Sequence, residues 1–235
     1  MEKISVTTLG CDRDDAMKIQ MDYFLKHQDQ LHEVVLMDNS KKEPTWVSDV
    51  LCSFDIPTKF IYVPFKPFQM SKMRNLGIEA ATGDIIAFMD VDIIPFNDDY
   101  FSRMAEEHAK NENMLLVGTR YKGNMEKVRV MLEDGKIVLK DPWRLKQLNE
   151  EKKPYMISSG GNCSIRKKTL GDIRNDETLD GGWGFRDVDF TRQIYAAGID
   201  IVFMPDLATW HVTHMVAKHN KDTNREIYLQ KWGSL

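Results

Sequence analysis

At 235 residues, 42% of them hydrophobic and 29% charged, the chain can bury one sizeable core and is too apolar for a disordered segment. A net charge of −4 with no basic stripe counts against a nucleic-acid partner. The three cysteines, Cys11, Cys52 and Cys163, lack a CxxC spacing and suit neither a zinc site nor a disulfide framework, so a reducing, cytoplasmic setting is expected. No apolar run approaches a membrane span, and a strand starting this near Met1 leaves no room for a signal peptide.

In chain order, residues 3–9 (KISVTTL) predict a strand, 17–27 an amphipathic helix and 33–38 (EVVLMD) a strand. A helical stretch over 44–53, a strand over 58–63 (TKFIYV), a helix over 70–82 closed by Gly83, and a strand over 84–89 (DIIAFM) follow. β-Branched runs separated by 3.6-residue patterns indicate βαβ units, hence an α/β fold with a mostly parallel sheet flanked by helices. Residues 97–111 predict a helix and 113–120 a strand; the charge-rich stretch 121–153 is read as a hairpin over 127–139 and a short helix. Residues 154–170 predict a strand, a break at Gly160 and Gly161, and a return strand. A loop over 179–185, a helix over 186–198, a last strand over 199–205 and a tail helix over 224–232 complete the chain.

The stretch FMDVDIIP (88–95) carries the first chemistry. An apolar strand ends in Asp90 and Asp92, and in an extended segment residues i and i+2 face the same side. Two like charges aimed at one spot call for a positive partner, unless the pair is only a solvated turn before Pro95. Ligands of parallel sheets sit at the carboxyl ends of strands, where Asp38 also falls, and this place favours a ligand contact over the turn-capping that DNS (38–40) also allows. Asp187 and Asp189 open a predicted helix, where acids meet the helix dipole favourably. The glycines of GGWG (181–184) permit a mobile loop, and Trp183 offers a flat apolar face.

Three motifs in order carry a family resemblance. MRNLGIEAATGDIIAFMDVDIIP (73–95) resembles the central segment of GT-A-fold glycosyltransferases, especially family 2, with an RN-x-G helix before a D-x-D strand. EVVLMDNS resembles that group's nucleotide-holding second strand. GGWGFRDVDF resembles the GWGxED segment of β1,4-galactosyltransferases and chondroitin-type polymerases. The resemblance spans residues 3–215 and implies an inverting, metal-dependent transfer from a UDP-sugar donor to a hydroxyl of a saccharide or glycoconjugate acceptor. It implies Asp92 and a histidine of WHVTH as ligands of Mn²⁺ or Mg²⁺, with His211 placed ahead of His214; an imidazole favours Mn²⁺. Thr7, Asp38, Arg74, Asn75, Asp90 and Gly161 fall to the donor, with Gly160 and Asn162 beside Gly161 in a tight wall. Trp183 and Arg186 fall to the acceptor, and Asp187 to the general base. Arg186 departs from the family, which has glutamate there.

One domain is expected over 1–235, divided into a nucleotide-binding half (1–95), an acceptor and catalytic half (96–214) and a tail (215–235). Two other readings stay open: a nucleotide-sugar- or carbohydrate-binding module without transfer activity, and a sugar-1-phosphate nucleotidyltransferase. The second would carry a glycine- and arginine-rich phosphate loop after the first strand, which TTLGCDRDDAMK lacks.

Overall fold

The computed structural model describes residues 2–67, 69–123, 146–147, 149, 153–157, 160–213 and 222–234. The hairpin expected over 127–139 lies outside them, as does His214. The strands are β1 (Ile4–Gly10), β2 (Glu33–Asp38), β3 (Thr58–Tyr62), β4 (Ile85–Asp90), β5 (Ile93–Pro95), β6 (Met114–Gly123), β7 (Asn162–Arg166) and β8 (Asp200–Val212). The helices are α1 (Asp14–Lys26), α2 (Val47–Leu51), α3 (Met70–Ala80), α4 (Tyr100–Lys110), α5 (Lys167–Leu170), α6 (Arg186–Ala196) and α7 (Asp222–Trp232). Among the described residues, no helix is long and apolar enough to cross a membrane.

The strands form one sheet in the order β3-β2-β1-β4-β7-β6-β8-β5. Only β7 and β5 run against the rest, so the sheet is mostly parallel, as its alternating periods imply. Strand β4 explains its unbroken apolar run. Ile85, Ala87 and Met89 pack with Met17, Met21 and Phe24 of α1 and Phe101 of α4, while Ile86 and Phe88 pack with Ile78 of α3 and Phe190 of α6. A strand covered on both faces has no polar face to alternate with.

Two expectations for the second half change. Pro154–Met156 is a 3₁₀ turn, and the return strand stops at Arg166, where α5 begins. The last strand runs on through Pro205 to Val212, because the β6–β8 register shifts between Gly118 and Thr119. A proline is tolerated at such a bulge, where its missing N–H breaks no ladder bond. Asn162 plugs the bulge: its Nδ2 donates to Thr119 O (2.8 Å), Leu207 O (3.2 Å) and Thr209 Oγ1 (3.0 Å), and the Tyr100 hydroxyl bonds its Oδ1. At 1% exposure Asn162 is a core tie and not the wall residue expected.

At the amino end of the sheet, Glu33 is 1% exposed and ties β2 to its neighbours. It accepts from Ser5 Oγ (2.6 Å), Thr82 Oγ1 (2.8 Å) and Lys59 Nζ (2.8 Å). Burial alone would raise its pKa, but these donors bring it from the ordinary 4.5 down to about 2. A depressed folded pKa contributes stability above the unfolded value and loses it as pH falls through the folded one. Glu33→Gln is therefore expected to cost about 3 kcal/mol at pH 7. In urea unfolding the gap to the wild type should narrow below pH 4.5 and close near pH 2. A gap independent of pH would reject the ion pair as its source.

Candidate active site

The acids singled out in the sequence gather at the carboxyl end of the parallel strands, where loops must leave the sheet. In β2, Asp38 lies between Gly10 of β1 and Tyr62 of β3. Its carboxylate is fully buried and closes a turn on Ser40, accepting from the backbone N–H (2.8 Å) and the hydroxyl (3.0 Å). The turn-capping bonds that DNS allows are formed. Burial raises the Asp38 pKa, against the pull of the Ser40 bonds. Ser40 Oγ also accepts from the backbone N–H of Asp12 (2.7 Å), which has a left-handed φ of 52°. This stitches the loops after β1 and β2 together. Thr7 is not part of that end. It lies mid-strand, 2% exposed, with its hydroxyl bonded to Ala87 O (3.2 Å), so its assignment to the donor is corrected to a tie between β1 and β4.

The positive partner called for by Asp90 is Arg74. The Arg74 side chain, 4% exposed, reaches from α3 to Asp90 Oδ1 (3.2 Å) and to Asp187 Oδ1. Burial and the neighbouring Asp92 and Asp187 raise the Asp90 pKa, while Arg74 opposes the rise. For Asp187, burial would raise the pKa, yet the charge and hydrogen bond of Arg74 hold it below the usual carboxylate range. Arg120 on β6, to which the sequence reading gave no role, also favours the ionised form of both acids. The glycine pair is fitted to this cluster: a Cβ on Gly160 would sit 2.3 Å from the Arg74 guanidinium, and one on Gly161 2.5 Å from the Asp90 carboxylate.

Strand β4 ends at Asp90, and a turn carries the chain to Asp92, so the two acids are neighbours through that turn and not by strand alternation. Asp92 Oδ2 lies 3.5 Å from His211 Nε2. The extension of β8 brings them together: after the bulge His211 pairs with Ile93 of β5, and the Val212 N–H bonds Asp92 O (2.8 Å). His211 therefore sits within the strand and not after it. A carboxylate and an imidazole side by side fit a divalent ion of the Mn²⁺ type. No third His, Cys, Asp or Glu joins them in a metal-holding group among the described residues.

The segment 175–187 is held by α3. Asp180 accepts from the first-turn N–H groups of Ser71 (2.9 Å) and Lys72 (3.0 Å), capping α3 from another part of the chain. Asn75 bonds Asn175 O (3.0 Å) and Glu177 Oε1 (2.9 Å) and accepts from the Asn175 N–H (2.9 Å), so its amide is occupied by this segment. Arg186 is buried and bonds Gly182 O (2.6 Å). Trp183 remains partly exposed. Phe185, at the N-terminal boundary of α6, has a φ of 63°. A left-handed conformation costs a bulky residue about 1–2 kcal/mol and persists only where neighbours impose it. Asp189 is wholly buried and accepts from Trp232 Nε1 (2.7 Å) and Lys231, so it anchors the C-terminal helix and leaves Asp187 as the acid on the site. Asp180 and Asn224, which bonds Gly184 O (2.8 Å), build the site although the sequence reading gave them no role. A cavity of about 690 Å³ at the opposite end of the sheet, lined by Asp84, Glu112, Arg166 and Lys168, holds none of the candidate residues.

Residues 23–174 match the model of the family described as glycosyl transferase family 2. The chain is 24% identical over 196 residues to the chondroitin synthase of Escherichia coli, covering 71% of this chain and 28% of that protein. Its fold matches a crystal structure of GalNAc-T7 with UDP, GalNAc and Mn²⁺ at a TM-score of 0.74 and 16% identity, over 99% of this chain and 48% of that one. It matches S. aureus TarS 1–349 in complex with UDP-GlcNAc at 0.69 and 17%, over 92% and 60%. The likeness to these structures shows the GT-A fold. The chain spans under a third of the synthase and about half of GalNAc-T7.

Removing one member of a buried charge cluster leaves the others uncompensated. Arg74→Met is expected to cost about 3 kcal/mol of stability at pH 7, the low end of the range for broken buried pairs because Asp187 is partly exposed. Chemical denaturation should also show part of the loss returning in the double variant with Asp187→Asn. Full stability of Arg74→Met alone would contradict the cluster.

Proposed function

Since the chain belongs to glycosyl transferase family 2, we propose that it is a metal-dependent, inverting transferase that moves a sugar from a UDP-sugar to a hydroxyl of a saccharide acceptor. The observation that carries this reading is the Asp90–Arg74–Asp187 cluster beside Asp92 and His211 at the carboxyl end of the sheet. The neighbours crystallised with UDP, UDP-GlcNAc and Mn²⁺ support the choice of donor and ion.

In this reading Asp92 and His211 would hold Mn²⁺, which when bound would supply positive charge to offset the diphosphate. The turn held by Asp38, with Cys11 and Asp12, walls the nucleoside. Asp90 and the Gly160–Gly161 backbone border the donor sugar, and Asn75 acts by holding the 175–177 segment. Trp183 presents its ring to the acceptor, with Arg186 shaping the loop beneath. Asp187, kept ionised by Arg74, takes the proton of the acceptor hydroxyl. The freed oxygen bonds the anomeric carbon as the bond from that carbon to the diphosphate oxygen breaks, and the electron pair leaves with UDP. Attack comes from the face opposite UDP, so an α-donor gives a β-product. A depressed pKa makes Asp187 a modest base, but one already deprotonated at neutral pH.

Two outcomes test this. Calorimetry with Asp92→Ala is expected to show loss of Mn²⁺-dependent UDP binding, with a smaller loss for His211→Ala; unchanged affinity in the first would remove the metal assignment. Asp187→Asn keeps the size of the side chain but cannot accept the proton, so kcat should fall on the order of 10²–10⁴-fold. UDP affinity should hold. An α-linked product from a UDP-α-sugar, read by NMR, would overturn inversion and with it the role of Asp187.

A further inference from the structure

We infer that the C-terminal helix α7 positions the catalytic loop, with Asn224 as its principal positioning residue; this rests on the reading of Asp187 as the base. The loop before Asp187 contains Gly181, Gly182 and Gly184, and so much glycine gives a chain little conformational preference of its own. Gly181 and Gly184 adopt positive φ values of 89° and 82°, which account for their identity. Gly182 does not share that backbone conformation, and its reason lies in α7: a Cβ there would stand 2.1 Å from Asn224 Oδ1.

Asn224 is 1% exposed, and its Nδ2 donates to both Leu179 O (2.9 Å) and Gly184 O (2.8 Å). One amide thus pins the two ends of the glycine turn while its oxygen fills the turn's interior. One helical turn on, the Tyr228 ring packs 5.3 Å from that of Phe185, the residue in left-handed conformation next to α6. Tyr228 is itself fixed by Arg192 of α6 through its hydroxyl (2.8 Å). Lys231 and Trp232 then close on Asp189, two residues beyond the base. Helix α7 therefore grips the chain on both sides of Asp187, and the direction of that carboxylate follows from the backbone it holds.

The test uses the full chain with Asn224→Ala, and with Asn224→Asp, which keeps size but replaces the shared donor by an acceptor facing two carbonyls. Hydrogen exchange at the amides of 181–187 is expected to accelerate by about tenfold or more, with β1 and β4 unchanged. Turnover is read as Mn²⁺-dependent UDP release from UDP-GlcNAc and UDP-GalNAc. The kcat should fall by about tenfold or more while the donor KM holds, and the loss should vanish in the Asp187→Asn background, because a residue acting through the base has nothing left to position. Unchanged exchange in the loop of either folded variant overturns the inference, as does an equal fold-loss in the Asp187→Asn background. Full activity of Asp187→Asn alone would instead sink the base, and the exchange result would still decide whether α7 holds the loop.

Discussion

The arrangement depends on one buried guanidinium. Arg74 joins Asp90, at the end of β4, to Asp187, at the start of α6, over 113 residues of chain between its own position and the farther acid. Three like-charged carboxylates, counting Asp92, could not crowd the end of a covered sheet without such a partner. The two acids that Arg74 holds respond differently: Asp90 is pushed toward protonation by burial and Asp92, whereas Asp187 is held ionised. An arginine suits this place better than a lysine, because its planar fork reaches two acceptors at once and it stays charged when buried.

Around that pair the sheet supplies fixed distances. Parallel pairing of β1, β2, β3 and β4 brings their carboxyl ends to one rim, so that Asp38 and Asp90 share it although they lie on different strands. The second half of the sheet needs an irregularity to contribute. Without the bulge opposite Gly118, β8 would pair in its earlier register and His211 would not stand across from Ile93, next to Asp92. Asn162, with a full set of buried hydrogen bonds, holds the strands at this irregularity, which is why an amide sits in the core there.

The loop that carries Trp183 to Asp187 accepts a hydrogen bond from a distant part of the chain at Gly184 O. It is shaped from outside, by the first turn of α3 through Asp180, by Asn75 through the 175–177 segment, and by α7 through Asn224 and Tyr228. Glycine permits such shaping and does not cause it. Two helices, α3 and α7, give a glycine-rich segment one conformation at the point where the side chain of Asp187 must be aimed.

The sequence by itself determined the elements of the first half, the strand-end position of Asp38 and Asp90, the pairing of a D-x-D acid with a late histidine as candidates, and the family. These signals are local: hydrophobic period, turn residues and motif order are all read within a few residues of one another. Only the tertiary structure decided what each side chain does. Thr7 and Asn162 became ties within the sheet, and Asn75 a support for a distant loop, because their hydrogen-bond partners lie 43 to 102 residues away. The course of β8 through Pro205 was hidden for the same reason, since a bulge is set by the neighbouring strand and not by the sequence of its own. The tail helix carried too weak a pattern to announce a role. Its part emerges only where Asn224 meets Gly184 and where Trp232 meets Asp189, contacts across 40 and 43 residues that no local period encodes.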